Sequence, residues 1–158
     1  MEKDDAYYLD WAVRLSEKSL FEAPGGPFGA IIVKDGNVIA EGWNEVTSSF
    51  DPTAHAEMQA IRKATANLKQ FHLNGAVIYS SCEPCPMCLS AIYWAQISKV
   101  VYANTRKQAE SIGFSDAEIY KEVALHPAQR SVTCVHLPSE KAMEVFEAWK
   151  ATESKKMY

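Results

Sequence analysis

No apolar stretch in this 158-residue sequence is longer than a β-strand requires, and that shortage excludes a membrane-spanning helix. Clustered positive charge is equally scarce. The 16 Lys and Arg are scattered, with Arg62-Lys63, Arg106-Lys107 and Lys155-Lys156 the only adjacent pairs, and the formal charge is -4. A nucleic-acid footprint would need a basic surface, so none is expected. Glycine and proline, seven of each, never gather into a linker, and no repeat or low-complexity segment is present. Met1-Glu2-Lys3-Asp4-Asp5 is the wrong chemistry for the start of a signal peptide. A soluble, intracellular protein resident in the cytoplasm is expected.

What remains is a chain that is 47% hydrophobic, enough for one sizeable core and too short for two ordinary domains. Its four cysteines are unevenly placed: Cys82, Cys85 and Cys88 crowd together while Cys134 stands apart. Crowding of that kind suits a metal site in a reducing compartment better than a disulfide framework.

Hydrophobic spacing predicts a first helix from Asp5 to about Phe21, stopped by Pro24-Gly25-Gly26. Strands at 28–33 and 38–43 flank Asp35-Gly36, a dipeptide suited to a tight hairpin. Asp51-Pro52 reads as the cap and first turn of a helix over 52–69, followed by a strand at 76–80, a helix over 86–96 and a strand at 99–103. Helical material at 105–111 precedes Ser115-Asp116-Ala117-Glu118, a capping-box pattern that starts another short helix. Alternation over 131–136 predicts a fifth strand, parallel to the fourth, and a last helix covers 139–153. The expected architecture is α/β, a five-stranded mixed sheet covered by helices on both faces.

The strongest chemical signal is Thr53-Ala54-His55-Ala56-Glu57 followed by Ser81-Cys82-Glu83-Pro84-Cys85-Pro86-Met87-Cys88. An imidazole and two thiolates at i and i+3 on one helical face form a donor set that suits tetrahedral zinc. His55, Cys85 and Cys88 are the candidate metal ligands, and both groups fall at predicted helix starts, where exposed N–H groups lower thiol pKa values. Three ligands leave one position for a water, acidified enough to act as a nucleophile, with Glu57 able to carry its proton. Residues two apart on a helix normally diverge, which argues against His55 and Glu57 sharing a site unless the metal lies over the helix end. The competing reading is a closed structural zinc with Cys82 as fourth ligand; a thioredoxin-like redox pair at Cys85 and Cys88 is a weaker rival.

His-x-Glu followed by Pro-Cys-x-x-Cys is the signature of zinc deaminases that act on nucleobases. Further segments extend the likeness: Gly25-Gly26-Pro27-Phe28-Gly29-Ala30, Ala91-Ile92-Tyr93-Trp94-Ala95, Gly113-Phe114 with Asp116, Ile119-Tyr120-Lys121-Glu122 and the ending from Trp149 to Tyr158. Together they resemble the bacterial guanine deaminases, members of the cytidine deaminase-like superfamily with its three-layer fold. The resemblance covers nearly the whole chain. It implies hydrolysis of guanine to xanthine and ammonia by a single zinc-dependent domain over 1–158, one Zn2+ per subunit. It further implies a homodimer in which the segment 139–158 is exchanged between subunits.

By the same resemblance Asn44 binds the base, Phe28 and Trp94 wall the purine, Asp116 serves the leaving amine beside Glu57, and Tyr158 is a lid supplied across the dimer. The residue types suit those tasks, since an amide offers donor and acceptor and an aromatic face stacks on any base. Each also has an ordinary structural use: core aromatics at Phe28 and Trp94, a turn residue at Asn44, a helix-dipole partner at Asp116 and a loose terminus at Tyr158. Guanosine, cytosine and tRNA adenosine are alternative substrates for the same metal motif, and a non-catalytic binding scaffold is the alternative from another class. His72, His126 and His136 are expected at the surface or in packing, and Cys134 as a buried, inert thiol.

Overall fold

The structure, a computed structural model, describes residues 3–22 and 24–158. The chain divides into two compact units, the first ending at Asp116 and the second running Ala117–Tyr158.

The first unit is built on β1 (Gly29–Lys34), β2 (Asn37–Trp43), β3 (Val77–Cys82) and β4 (Lys99–Asn104), in the order β2-β1-β3-β4. β1 pairs antiparallel with β2 and β3, and β3 pairs parallel with β4. Asp35 and Gly36, with φ of +50° and +73°, make the hairpin turn whose twist matches its strands. Among the described residues six helices accompany the sheet: α1 (Asp5–Ser16), α2 (Lys18–Phe21), α3 (Val46–Ser49), α4 (Ala56–Leu68), α5 (Pro86–Trp94) and α6 (Arg106–Ser111).

Alternation along the strands sends side chains to two cores. Ile31, Val33 and Tyr79 pack with Tyr8, Ala12 and Leu15 of α1, while Ala30, Ile32, Ala40 and Ile78 pack with Ala56, Ala60, Ile61 and Ala64 of α4 and Ile92 of α5. The sheet is therefore covered by helices on both faces, and β1, buried on both, reads as an unbroken apolar run. Gly42 permits the closest approach: a Cβ there would lie 2.2 Å from the carbonyl oxygen of Ala56 and 2.7 Å from the nitrogen of Ala60. The first turns of α4 thus lie directly against β2, which positions the end of α4 that carries His55.

Several expectations require correction. The single helix to Phe21 is two, because the Glu17 N–H bonds back to Arg14 and Leu15 and the turn buries Ser19, whose hydroxyl donates to the Asn44 carbonyl at 3.3 Å. α4 begins at Ala56, not 52. Asp51 caps a turn instead, its Oδ1 accepting from the Thr53 N–H at 2.8 Å and the Thr53 hydroxyl at 2.7 Å. The parallel crossover is β3-α5-β4.

Among the described residues the sheet has four strands, and the fifth strand expected at 131–136 does not form. That segment belongs to the second unit, which contains α7 (Ala117–Ala124), a 3-10 turn at Pro127–Gln129 and α8 (Glu140–Ala151), capped by the Ser139 hydroxyl accepting from the Ala142 N–H. Arg130 donates to the Glu122 carbonyl at 3.1 Å and the Ser131 N–H to the Glu122 carboxylate at 2.8 Å. These bonds fasten the start of the segment to the end of α7. Val132 and Val135, both 73% exposed, find no face to bury, and Cys134, expected to be buried, is exposed as well. Alternation specifies which face of a strand is apolar, but a strand also needs a pairing edge. Among the described residues no helix is long and apolar enough to cross a membrane.

Candidate metal centre

Two helix N-termini meet at the end of β3. His55 is the N-cap of α4 and Cys85 the N-cap of α5, both extended, with ψ of 157° and 169°, and Pro86 opens the first turn of α5. An N-cap residue lies outside the helix, so its side chain can fold back across the helix end. That resolves the conflict of an i, i+2 pair: Glu57 sits in the first turn of α4 while His55 belongs to the loop. The loop is held on both sides, with the Glu45 N–H donating to the Ala54 carbonyl at 2.9 Å and the Arg62 guanidinium to the Thr53 hydroxyl at 2.9 Å.

His55 Nδ1 lies 3.5 Å from Cys85 Sγ and 3.6 Å from Cys88 Sγ, and the three donor atoms are within 4.8 Å of one another. A tetrahedral zinc ion separates an imidazole nitrogen from a thiolate sulfur by about 3.6 Å, from ordinary bond lengths. The donor set therefore fits zinc in chemistry and in spacing. Cys82 is no part of the group: at the end of β3 it is buried, its Sγ lies 3.8 Å from the Thr105 carbonyl, and burial pushes its thiol up to about 11. The closed four-ligand reading is not assembled among the described residues.

Protons are unevenly shared within the cluster. The Cys88 thiol beside it holds Cys85 down to about 4, with His55 assisting against burial, and Cys88 is raised by donating to Cys85 and by burial. His55 is raised, chiefly by its contact with Cys85. Glu57, 5% exposed, is raised by burial, which its backbone N–H and Ser80 partly offset. Its Oε1 accepts from the Ser80 hydroxyl at 2.8 Å and its Oε2 from the Cys88 thiol at 3.5 Å. A buried carboxyl group raised above its ordinary range beside a metal donor set is the kind of group able to carry a proton there.

The remaining candidates are spread more widely. Asn44, buried just beyond β2, accepts with Oδ1 from the Gly26 N–H at 3.3 Å and the Val46 N–H at 3.2 Å. Two N–H donors can only face an oxygen, so the amide's orientation is fixed by its network. Phe28 meets Phe114 edge to face, centroids 5.0 Å apart, and Gly26 lies against both rings. Asp116, the last residue of the first unit, is raised by partial burial and also by the charge at Cys85. Trp94 ends α5 at 65% exposed, and Tyr158 lies in the second unit at 73% exposed.

The structure thus gathers His55, Cys85, Cys88 and Glu57, and groups Phe28 and Asn44 around the Gly25-Gly26 loop. Sequence reasoning assigned no part to Ser80 or Phe114. For Ser80 a signal existed: Ser80-Ser81 is a polar pair inside an otherwise apolar strand.

Residues 2–104 match the cytidine and deoxycytidylate deaminase zinc-binding region, and the chain belongs to that family of zinc-binding deaminases. It is 46% identical over 151 residues to guanine deaminase of Bacillus subtilis, covering 96% of this chain and 97% of that protein. The X-ray structure of guanine deaminase from Bacillus subtilis superposes with a TM-score of 0.95 at 45% identity, over 98% of this chain and 99% of that one. Guanine deaminase from Nitrosomonas europaea gives a TM-score of 0.66 at 30% identity, covering 70% of this chain and 64% of that chain. The tRNA-specific adenosine deaminase of Aquifex aeolicus is 41% identical over 102 residues, 65% of this chain and 67% of that protein.

Proposed function

We propose that the protein hydrolyses guanine to xanthine and ammonia, with zinc held by His55, Cys85 and Cys88. The observation that carries the reading is the reach of the likeness to guanine deaminase: it takes in 96% of the chain, whereas the family region ends at residue 104 and the tRNA deaminase of Aquifex aeolicus accounts for 65%. Zinc, when bound, acts as a Lewis acid that lowers the pKa of water toward neutrality.

The chain's own residues supply the rest. Glu57 takes one proton from the water that attacks C2 and delivers it to the ring nitrogen N3. The proton of the new C2 hydroxyl then passes to the amino group as the C2–N bond breaks, so that ammonia leaves and a C2 carbonyl remains. Burial raises Glu57 above the ordinary carboxylate range, which eases its taking up a proton before it passes that proton on. Asp116, also raised, stands as the second carboxyl group that serves the departing amine.

Asn44, its oxygen committed to two backbone N–H groups, offers its Nδ2 donor to a purine acceptor. Phe28, braced by Phe114, and Trp94 stack against the ring. Tyr158 closes over the base from the partner subunit of a homodimer that exchanges 139–158. Support for that assembly comes from the second unit, where no described residue is buried and Phe146, Trp149 and Met143 of α8 are all exposed.

The test is ammonia release from guanine, guanosine, cytosine, adenine and a tRNA anticodon stem, before and after chelation of zinc. Release from guanine that chelation abolishes is expected. Preference for the tRNA stem would replace this reading with the tRNA one, and no release from any of them would favour a binding scaffold.

A further inference from the structure

Ser80 is 1% exposed, on β3 next to the apolar Ile78 and Tyr79, where a hydroxyl is unfavourable unless it is hydrogen-bonded. Its Oγ lies 3.4 Å from the Cys82 backbone nitrogen and 2.8 Å from Glu57 Oε1. The N–H can only donate, so it occupies a lone pair of Oγ, and the hydroxyl proton is left to point at the carboxylate. Ser81, the next residue, is used differently: its hydroxyl accepts from the Gly29 N–H at 3.0 Å and joins β3 to β1.

Glu57 has three rotatable side-chain bonds and only a few places to stand, and its other oxygen, Oε2, lies 3.5 Å from Cys88 Sγ, on the side of the metal donors. We propose that Ser80 is a positioning residue for the proton shuttle: it anchors Glu57 Oε1 and so assigns the travelling proton to Oε2. A carboxylate tethered at one oxygen keeps the other in one place through the reaction, which is what proton transfer over hydrogen-bond distance demands. This inference rests on the deaminase reading above.

Threonine and valine have the same shape and differ in the hydroxyl, so the pair Ser80→Thr and Ser80→Val separates the hydrogen bond from packing. Zinc-loaded wild type, both variants and Ser81→Ala are compared on guanine for kcat, KM, zinc per chain and Tm. Ser80→Val is expected to lose roughly tenfold or more in kcat, with KM within about twofold and zinc per chain unchanged, while Ser80→Thr keeps most of kcat. Ser81→Ala is expected to lower Tm and spare kcat per bound zinc. Equal kcat in the threonine and valine variants, a loss that follows zinc content, or the same loss in Ser81→Ala each overturns the role of Ser80. A wild type that releases no ammonia from guanine overturns the deaminase reading, and the proposal with it.

Discussion

The two units of the chain treat apolar surface in opposite ways. Before Asp116, alternating strand residues are divided between two buried cores, and every buried residue of the described chain lies there. In Ala117–Tyr158 the helices carry Ile119, Val123, Met143, Phe146 and Trp149, all exposed. The first unit has a sheet with two faces to cover and covers both, so it can hold four reactive side chains rigidly. The second has helices without a sheet of its own, and its apolar residues stay exposed. The metal donors His55, Cys85 and Cys88, and Glu57 beside them, all lie in the first unit.

Breaking the first unit's share should have the largest effect. Cys88→Ala removes one of three metal donors, and zinc and turnover should be lost together, measured by metal analysis and ammonia release. Glu57→Gln keeps the donors and removes the proton carrier; turnover should fall by about a thousandfold with zinc retained. If Glu57→Gln instead lost zinc, Glu57 would be a ligand. Asp116→Asn is expected to cost roughly ten- to a hundredfold in kcat, and full turnover would remove Asp116 from the mechanism.

The second unit's share should be smaller and of another kind. Phe146→Asp places a charge on the exposed face of α8; a shift from dimer to monomer in sedimentation, with zinc per chain intact, is expected. Removing Met157 and Tyr158 should raise KM a few-fold, on the order of threefold to tenfold, with little change in zinc or Tm. Unchanged kinetics there would end the lid assignment.

The smallest effect concerns stability alone. The Lys99 ammonium, which donates to Asp5 at 2.5 Å, and the Tyr79 hydroxyl, which donates at 2.8 Å, hold the Asp5 carboxyl below its ordinary range. A depressed folded-state pKa contributes stability above the unfolded value, and that contribution disappears as pH falls through the folded value. Asp5→Asn should therefore lower Tm slightly at neutral pH, and the two melting curves should converge in acid.

Much of the first unit was legible in sequence because its signals are local. The Asp35-Gly36 turn needs positive φ, and the long apolar run of β1 announces a strand buried on both sides. The spacing of His55, Cys85 and Cys88 singled out three donors that the chain does fold together. The start of α4 was misplaced because Asp51 satisfies a turn as well as it would cap a helix, and only the Glu45–Ala54 bond and the approach allowed by Gly42 put the first helical residue at Ala56. Ser80 drew no assignment because its partner is distant in sequence. The strand at 131–136 failed for a related reason, since alternation is local and a pairing edge is not.

The sequence by itself determined the donor types, their spacing from the helix starts and the presence of an acid two residues from an imidazole. Tertiary structure decided that His55 stands outside α4 while Glu57 stands inside it, that Cys82 lies outside the metal group, and that Ser80 reaches one oxygen of Glu57. Donor identity is a property of each residue. Convergence of side chains from two helix ends and a strand depends on how closely α4 packs on the sheet, and no local spacing encodes that distance.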